Sequence, residues 1–138
     1  MRALIFSDSH GDEANLRWMA ELAAQRGPMD AYIHCGDGAR DFDRLANFLL
    51  GLSPQAALYG VKGNCDLGVD AVKLTLGALA PAAREAGCGV VLFGHTHRPT
   101  LEERDGILLL NPGTAQRGYA ALLQVDAAGH AQGELLSF

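Results

Sequence analysis

Long apolar runs are missing from this chain: no stretch of its 138 residues approaches the ~20 apolar residues that a membrane-spanning helix needs, which excludes that class. Cysteine is sparse. Cys35, Cys65 and Cys88 are odd in number and contain no Cys-x-x-Cys, so neither a disulfide framework nor a zinc ribbon fits, and a reducing, cytoplasmic setting is expected. The chain runs from Met1 through Phe6 straight into Asp8, leaving no room for the apolar segment and cleavage site of a signal peptide. Runs of positive charge are also absent. Eleven Lys and Arg stand against 16 Asp and Glu, a net charge of −5, and the basic residues are scattered, which disfavours a nucleic-acid surface. That balance suits plain solubility, and it admits a small anion if bound cations reverse the local field. There is no Gly-x-x-x-x-Gly-Lys-[Ser/Thr] loop, which argues against a metal-free nucleotide-binding domain. No repeat, low-complexity tract or linker divides the chain. One domain over residues 1–138 is the expectation, at about the usual domain length.

What is present is a repeated strand–loop–helix pattern. Ala3-Leu4-Ile5-Phe6 is an apolar run that stops at Ser7-Asp8-Ser9-His10-Gly11, as a buried strand opening into a polar loop would. Leu16, Met19, Ala20 and Ala23 then recur at helical spacing until Gly27-Pro28 stops the helix. Ala31-Tyr32-Ile33 leads in the same way to Cys35-Gly36-Asp37-Gly38, and one helical stretch follows through Phe42, Leu45, Ala46, Leu49 and Leu50. Further strands are expected at Ala57-Leu58-Tyr59-Gly60-Val61, Val90-Val91-Leu92-Phe93 and Ile107-Leu108-Leu109-Leu110. The residues from Tyr119 to the C-terminus read as a hairpin turning at Asp126-Ala127-Ala128-Gly129 and closing a sheet edge. Strands alternating with helices predict a layered α/β fold.

Asp8, His10, Asp37, Asn64, His95 and His97 each fall in a Gly-containing loop just after an apolar run, and in α/β sheets such strand ends meet at one crevice. Carboxylate and amide oxygens mixed with imidazole nitrogens suit Mn²⁺, Fe²⁺ or Zn²⁺ and are too rich in nitrogen for calcium. Singly these signals are weak. Asp-x-His is more often a turn or cap than a ligand pair, and Gly36-Asp37 or Gly63-Asn64 alone would be a turn. Two histidines two residues apart at a strand's end seldom serve packing. Four such loops in one order are far more specific than any of them alone.

Together, Asp8-Ser9-His10, Gly36-Asp37, Gly63-Asn64-Cys65-Asp66, Gly94-His95-Thr96-His97 and Asn111-Pro112-Gly113 resemble the loops of the calcineurin-like metallophosphoesterases. The nearest likeness is to the small bacterial and archaeal phosphodiesterases that have Gly-Asn-Cys-Asp in place of Gly-Asn-His-Asp. The resemblance covers nearly the whole chain. It implies a four-layer αββα sandwich, from which one strand region could be missing, and two divalent metal ions, manganese foremost with iron, zinc or nickel as the others. Carried over residue by residue, Asp8, His10 and His97 would hold one ion, Asn64 and His95 the other, and Asp37 would bridge them. The implied reaction is phosphodiester hydrolysis by a metal-activated hydroxide, with the developing charge met by both ions and by Asn64.

Two departures bear on this. Relatives carry at position 65 a histidine able to protonate the leaving group, whereas a thiol of reference pKa ~8.5 donates poorly, so easily expelled leaving groups should be preferred. Cys65 also reads as a small half-buried hydrophobe with no catalytic part, and Asp66 as the residue that orients its loop. The second departure is a missing ligand: the family's Thr-His-Gly-His between Asn64 and His95 has no counterpart, since no histidine lies between them. The chain passes from Lys73-Leu74-Thr75-Leu76-Gly77 directly to Ala78-Leu79-Ala80-Pro81-Ala82, which reads as the helix that should follow that strand. The segment Ala115-Gln116-Arg117-Gly118-Tyr119 is likewise shorter than expected. Either both pieces have been lost, or the natural chain carries residues there that this sequence lacks. His34 and His130 read as structural or solvated, and Arg98 as a phosphate contact or a solvated side chain. An enzyme acting on a small phosphate ester is thus weighed against a weak or inactive scaffold protein, as the retromer subunit of the family is. No membrane partner is expected, nucleic acid is disfavoured, and further copies of the same chain are the one macromolecular partner considered.

Overall fold

Strand alternation builds the layers. The computed structural model describes residues 1–61 and 76–138, with the side chains of residues 76–78 left aside. In β1 (Arg2–Phe6), Leu4 and Phe6 point to one face and Ala3 and Ile5 to the other. β7 (Tyr119–Val125) divides in the same way, Ala120 and Leu122 against Ala121 and Leu123. The first face packs on Leu16, Met19, Ala20 and Ala23 of α1 (Glu13–Ala24), the four residues whose spacing predicts the helix. It also packs on Phe42 of α2 (Ala39–Arg44) and Leu49 of α3 (Ala46–Leu52). Each large apolar side chain fully withdrawn from water contributes about 1.5–3 kcal/mol before entropy is counted.

The second face meets another sheet. Leu108 and Leu110 of β6 (Ile107–Asn111) join Ile5, Ile33 and Leu123, while Ile107 and Leu109 turn outward onto Ala80 and Ala83 of α4 (Leu76–Glu85). The order is therefore helices, sheet, sheet, helix, the four-layer αββα sandwich that the family resemblance implies. The larger sheet runs β3-β2-β1-β7-β8, with β2 (Ala31–His34) and β3 (Ala57–Gly60) parallel to β1 and β8 (Ala131–Ser137) hairpinned to β7. The smaller runs β4-β6-β5, with β4 (Val90–Leu92) parallel to β6 and β5 (Thr100–Arg104) antiparallel. Parallel strands bring the polar loops after β1, β2, β4 and β6 to one end of the sandwich, which is what positions the site.

Three sequence expectations need correction. The single helix expected after Asp37 is two, α2 and α3, meeting at Leu45, whose αR cap geometry is shared by both. Thr100–Arg104, not among the expected strands, is a strand. It is joined to β6 by Asp105-Gly106, both at positive φ (54° and 78°), as a tight hairpin requires. The helix read at Ala78–Ala82 begins two residues earlier, at Leu76. Between Thr114 and Tyr119 the chain makes only one 3₁₀ turn, Ala115–Arg117, which Asn15 of α1 holds by donating its amide to the Ala115 and Gln116 carbonyls at 3.1 Å each. The stretch missing the family's Thr-His-Gly-His lies largely outside the described residues. Among the described residues no helix is long and apolar enough to cross a membrane.

Candidate metal centre

Asp8 lies two residues beyond the end of β1 and is fully buried, so its charge must be met by partners rather than by water. One oxygen is met: Oδ2 accepts the Ser7 hydroxyl at 2.5 Å and the His95 backbone N–H at 3.0 Å. The other, Oδ1, has no hydrogen-bond partner among the described residues. It faces Nε2 of His97 at 3.2 Å and Nε2 of His10 at 3.8 Å, and those two nitrogens lie 3.4 Å apart. Among the described residues these three form the group whose ligand atoms all lie within 4.8 Å of one another. Donor atoms bound ~2.1 Å from one ion stand about 3–3.5 Å apart; the edges of 3.2 and 3.4 Å match this and the Asp8–His10 edge of 3.8 Å is slightly wide, so a small inward shift of His10 makes the triangle a site for a divalent cation with the donor set O, N, N. Asp8 forms the buried floor and the two imidazoles the solvent side.

The backbone is bent to make this possible. Asp8, His10, Asp37, His95 and His97 all sit at positive φ, between 46° and 72°. Each such non-glycine residue costs of order 1 kcal/mol or more, and persists only where its surroundings over-determine it. Here they do. Asp8 N–H donates to the Gly36 carbonyl at 2.9 Å and His10 N–H to the Asp37 carbonyl at 3.1 Å, locking the first loop to the second. Thr114 Oγ1 donates to the Asp8 carbonyl at 2.8 Å. Buried Asn111 donates its amide to the Gly94 carbonyl and to Thr96 Oγ1, at 3.2 and 3.0 Å, fastening the His95–His97 loop to the end of β6. A Cβ on Gly94 would collide with Ser7 Oγ and lie 2.9 Å from Asp8 Oδ2, so only glycine lets that loop come down on the carboxylate.

Of the residues predicted from sequence, then, Asp8, His10 and His97 are brought together. Asp37 is buried at the end of β2 with its carbonyl on His10, and His95 is exposed beside Asp8 with its backbone on the carboxylate. Asn64, Cys65 and Asp66 lie outside the described residues. Burial and the neighbouring Asp8 carboxylate push the Cys35 thiol up to about 12, so near neutrality it is a protonated packing group and no thiolate ligand. His34 is fully buried, which selects the structural reading over the solvated one, whereas His130 is exposed in the hairpin turn and Arg98 is exposed at the surface. Sequence reasoning assigned no role to Ser7, Asn111 and Thr114, the groups that aim Asp8 and tie the loops, although Asn111 opens one of the quoted motifs and Ser7 and Thr114 adjoin two of them.

Comparison with known proteins agrees. The model of the Calcineurin-like phosphoesterase superfamily domain matches residues 1–77 and 69–127. A probable metallophosphoesterase of Bacillus subtilis (strain 168), YsnB, is 33% identical over 158 aligned positions that cover 93% of this chain and 88% of the relative. Those positions outnumber the 138 residues here, so within the aligned region the relative has residues with no counterpart in this chain. A conserved protein of Streptococcus pneumoniae TIGR4, described as a predicted phosphoesterase, superposes with a TM-score of 0.67 at 22% identity, covering 99% of this chain and 88% of that one. Vps29 of Entamoeba histolytica, solved with Zn²⁺, does so at 0.64 and 19%, covering 99% and 98%; at these identities the likeness speaks for the fold. On the family match and the curated relative, the chain belongs to the calcineurin-like phosphoesterase superfamily.

Proposed function

We propose that this protein is a cytoplasmic hydrolase of small phosphate esters, phosphodiesters foremost, that works with two divalent ions, manganese the first candidate. The observation that carries the reading is Asp8 Oδ1: a buried carboxylate oxygen without a hydrogen bond among the described residues, facing two imidazole nitrogens. When bound, such ions supply a nucleophilic oxygen near neutrality and neutralise charge on the transferred phosphoryl group. The protein's own part is to hold and orient. Asp8, His10 and His97 would hold one ion, Asn64 and His95 the other, and Asp37 would be shared. Ser7 and the His95 N–H occupy Asp8 Oδ2 and so leave Oδ1 as the atom that faces the site. Asn64 meets charge on the phosphoryl oxygens, and Asp66 orients the loop that carries it. Cys65 is a poor proton donor, which favours aryl leaving groups that need no proton.

A second reading, a scaffold with little or no turnover, draws on the absence of any histidine between Asn64 and His95, which leaves one ion short of a ligand. One experiment separates the two: metal content by mass spectrometry alongside turnover of an aryl phosphodiester and an aryl phosphomonoester, with and without Mn²⁺. The enzyme reading expects Mn²⁺-dependent turnover that keeps rising past the first equivalent, and loss of both metal and turnover in Asp37→Ala. Bound metal without turnover of either ester selects the scaffold. Full metal content and full turnover in Asp37→Ala would overturn the ligand assignment.

A further inference from the structure

The reading so far leaves unused a buried polar cluster behind the first loop, made of Ser9, His34 and Asp41. All three are at most 5% exposed. Asp41 Oδ2 accepts the Ser9 hydroxyl at 2.6 Å and the Gly11 backbone N–H at 2.7 Å. One oxygen from α2 therefore grips the residue on each side of His10, whose own φ is 46°. His34 backs this up. Its Nδ1 accepts the Gly36 N–H at 3.2 Å, which leaves the ring proton on Nε2, 3.2 Å from Ser9 Oγ. Donation therefore runs one way, from His34 to Ser9 to Asp41. The cluster has no spare room: a Cβ on Gly38 would collide with Ser9 Oγ and lie 3.0 Å from Asp41 Oδ2 and 3.1 Å from His34 Cε1.

A purely local role for Asp41 does not account for this. It stands in the first turn of α2, where an acidic side chain commonly turns back to cap its own helix, yet its Oδ2 takes the Ser9 hydroxyl and the Gly11 N–H. Its carboxylate reaches across to the other loop instead. We infer that Asp41 is a positioning residue for the metal centre, holding His10 in its left-handed conformation through Ser9 and Gly11, with His34 orienting the Ser9 hydroxyl. The inference rests on the metal reading above and names what aims His10.

The test follows Co²⁺ binding by its visible absorption, together with thermal melting of the metal-free protein, for wild type, Asp41→Ala, Asp41→Asn, His10→Ala and the Asp41→Ala/His10→Ala pair. Asp41→Ala should weaken the tighter Co²⁺ site by about 10-fold or more, as loss of a residue that orients a ligand does. Asp41→Asn keeps an oxygen able to accept both bonds and should return affinity to within about threefold. With His10 already alanine, Asp41→Ala should cost little further, because residues that act through one another are non-additive. An equal loss in both backgrounds, or a fall in melting temperature with Co²⁺ affinity and spectrum intact, would overturn the inference while leaving the metal reading standing. Wild-type protein that takes up no Co²⁺ would overturn both. If Asp41→Ala does not fold, Ser9→Ala with Ser9→Thr as the conservative partner carries the same cycle.

Discussion

Asp8 stores an unfavourable interaction in the metal-free protein. A buried polar atom without a hydrogen bond costs about 1–3 kcal/mol, more when charged, and among the described residues Asp8 Oδ1 has none, only the His97 and His10 imidazoles facing it at 3.2 and 3.8 Å. Asp8→Asn puts a neutral amide there, which can donate toward the imidazole nitrogens 3.2 and 3.8 Å away. We expect this variant to melt higher than wild type without metal, by about 1 kcal/mol, and to lose divalent-ion binding, the usual opposition between stability and a strained functional site. Calorimetric melting beside a Mn²⁺ titration decides it, and wild-type affinity in Asp8→Asn would contradict the ligand role. Asp and His are the side chains that tolerate positive φ better than most, so the residue types of the candidate metal centre are also those the bent backbone accepts. The candidate donors were legible in the sequence. The bend was not, because it is imposed by carbonyls and hydroxyls of loops remote in the chain.

Among the elements, the loops matter more than the strands they end. Gly94 shows no positive φ, so its requirement is space alone. Gly94→Ala should push the His95–His97 loop off Asp8, cost about 1–3 kcal/mol as overpacking does, and weaken metal binding. Gly51→Ala is the matched control: it lies in α3 with nothing within 4 Å of the added Cβ, and it should be neutral or stabilising by up to about 1 kcal/mol. Chemical denaturation of the two variants makes the comparison, and equal effects would refute the steric account. α1 was legible down to its four buried residues because period 3.6 is a local pattern. β5 was not, since Thr-Leu-Glu-Glu-Arg alternates weakly and is a strand through its ladder with β6. The split into α2 and α3 escaped for the same reason, since apolar spacing is continuous across Leu45.

For the molecule as a whole, a site assembled from loops after β1, β2 and β4 exists only in the folded chain, so a bound ion stabilises the fold by mass action. At 100 times its dissociation constant that is about 2.7 kcal/mol, which for a domain of this size raises the melting temperature on the order of 10 °C. Melting with and without Mn²⁺ should show that rise in wild type and its loss in Asp8→Asn. An unchanged wild-type melting temperature at saturating Mn²⁺ would count against a preformed site. The net charge of −5 does not oppose this, since cations carry the local field.

The sequence by itself determined the strand–loop–helix alternation, the layered class and the set of candidate donor residues, because burial period and side-chain chemistry are properties of short windows. Tertiary structure alone decided that Asp8, His10 and His97 share one triangle while Asp8's second oxygen is held by Ser7 and His95. It alone decided that Asp41, an acidic residue in a helix's first turn, serves a loop 30 residues away. The physical reason is that hydrogen bonds and ligand geometry act over about 3 Å in space, and which residues come that close is set by the parallel register of β1 with β2 and of β4 with β6.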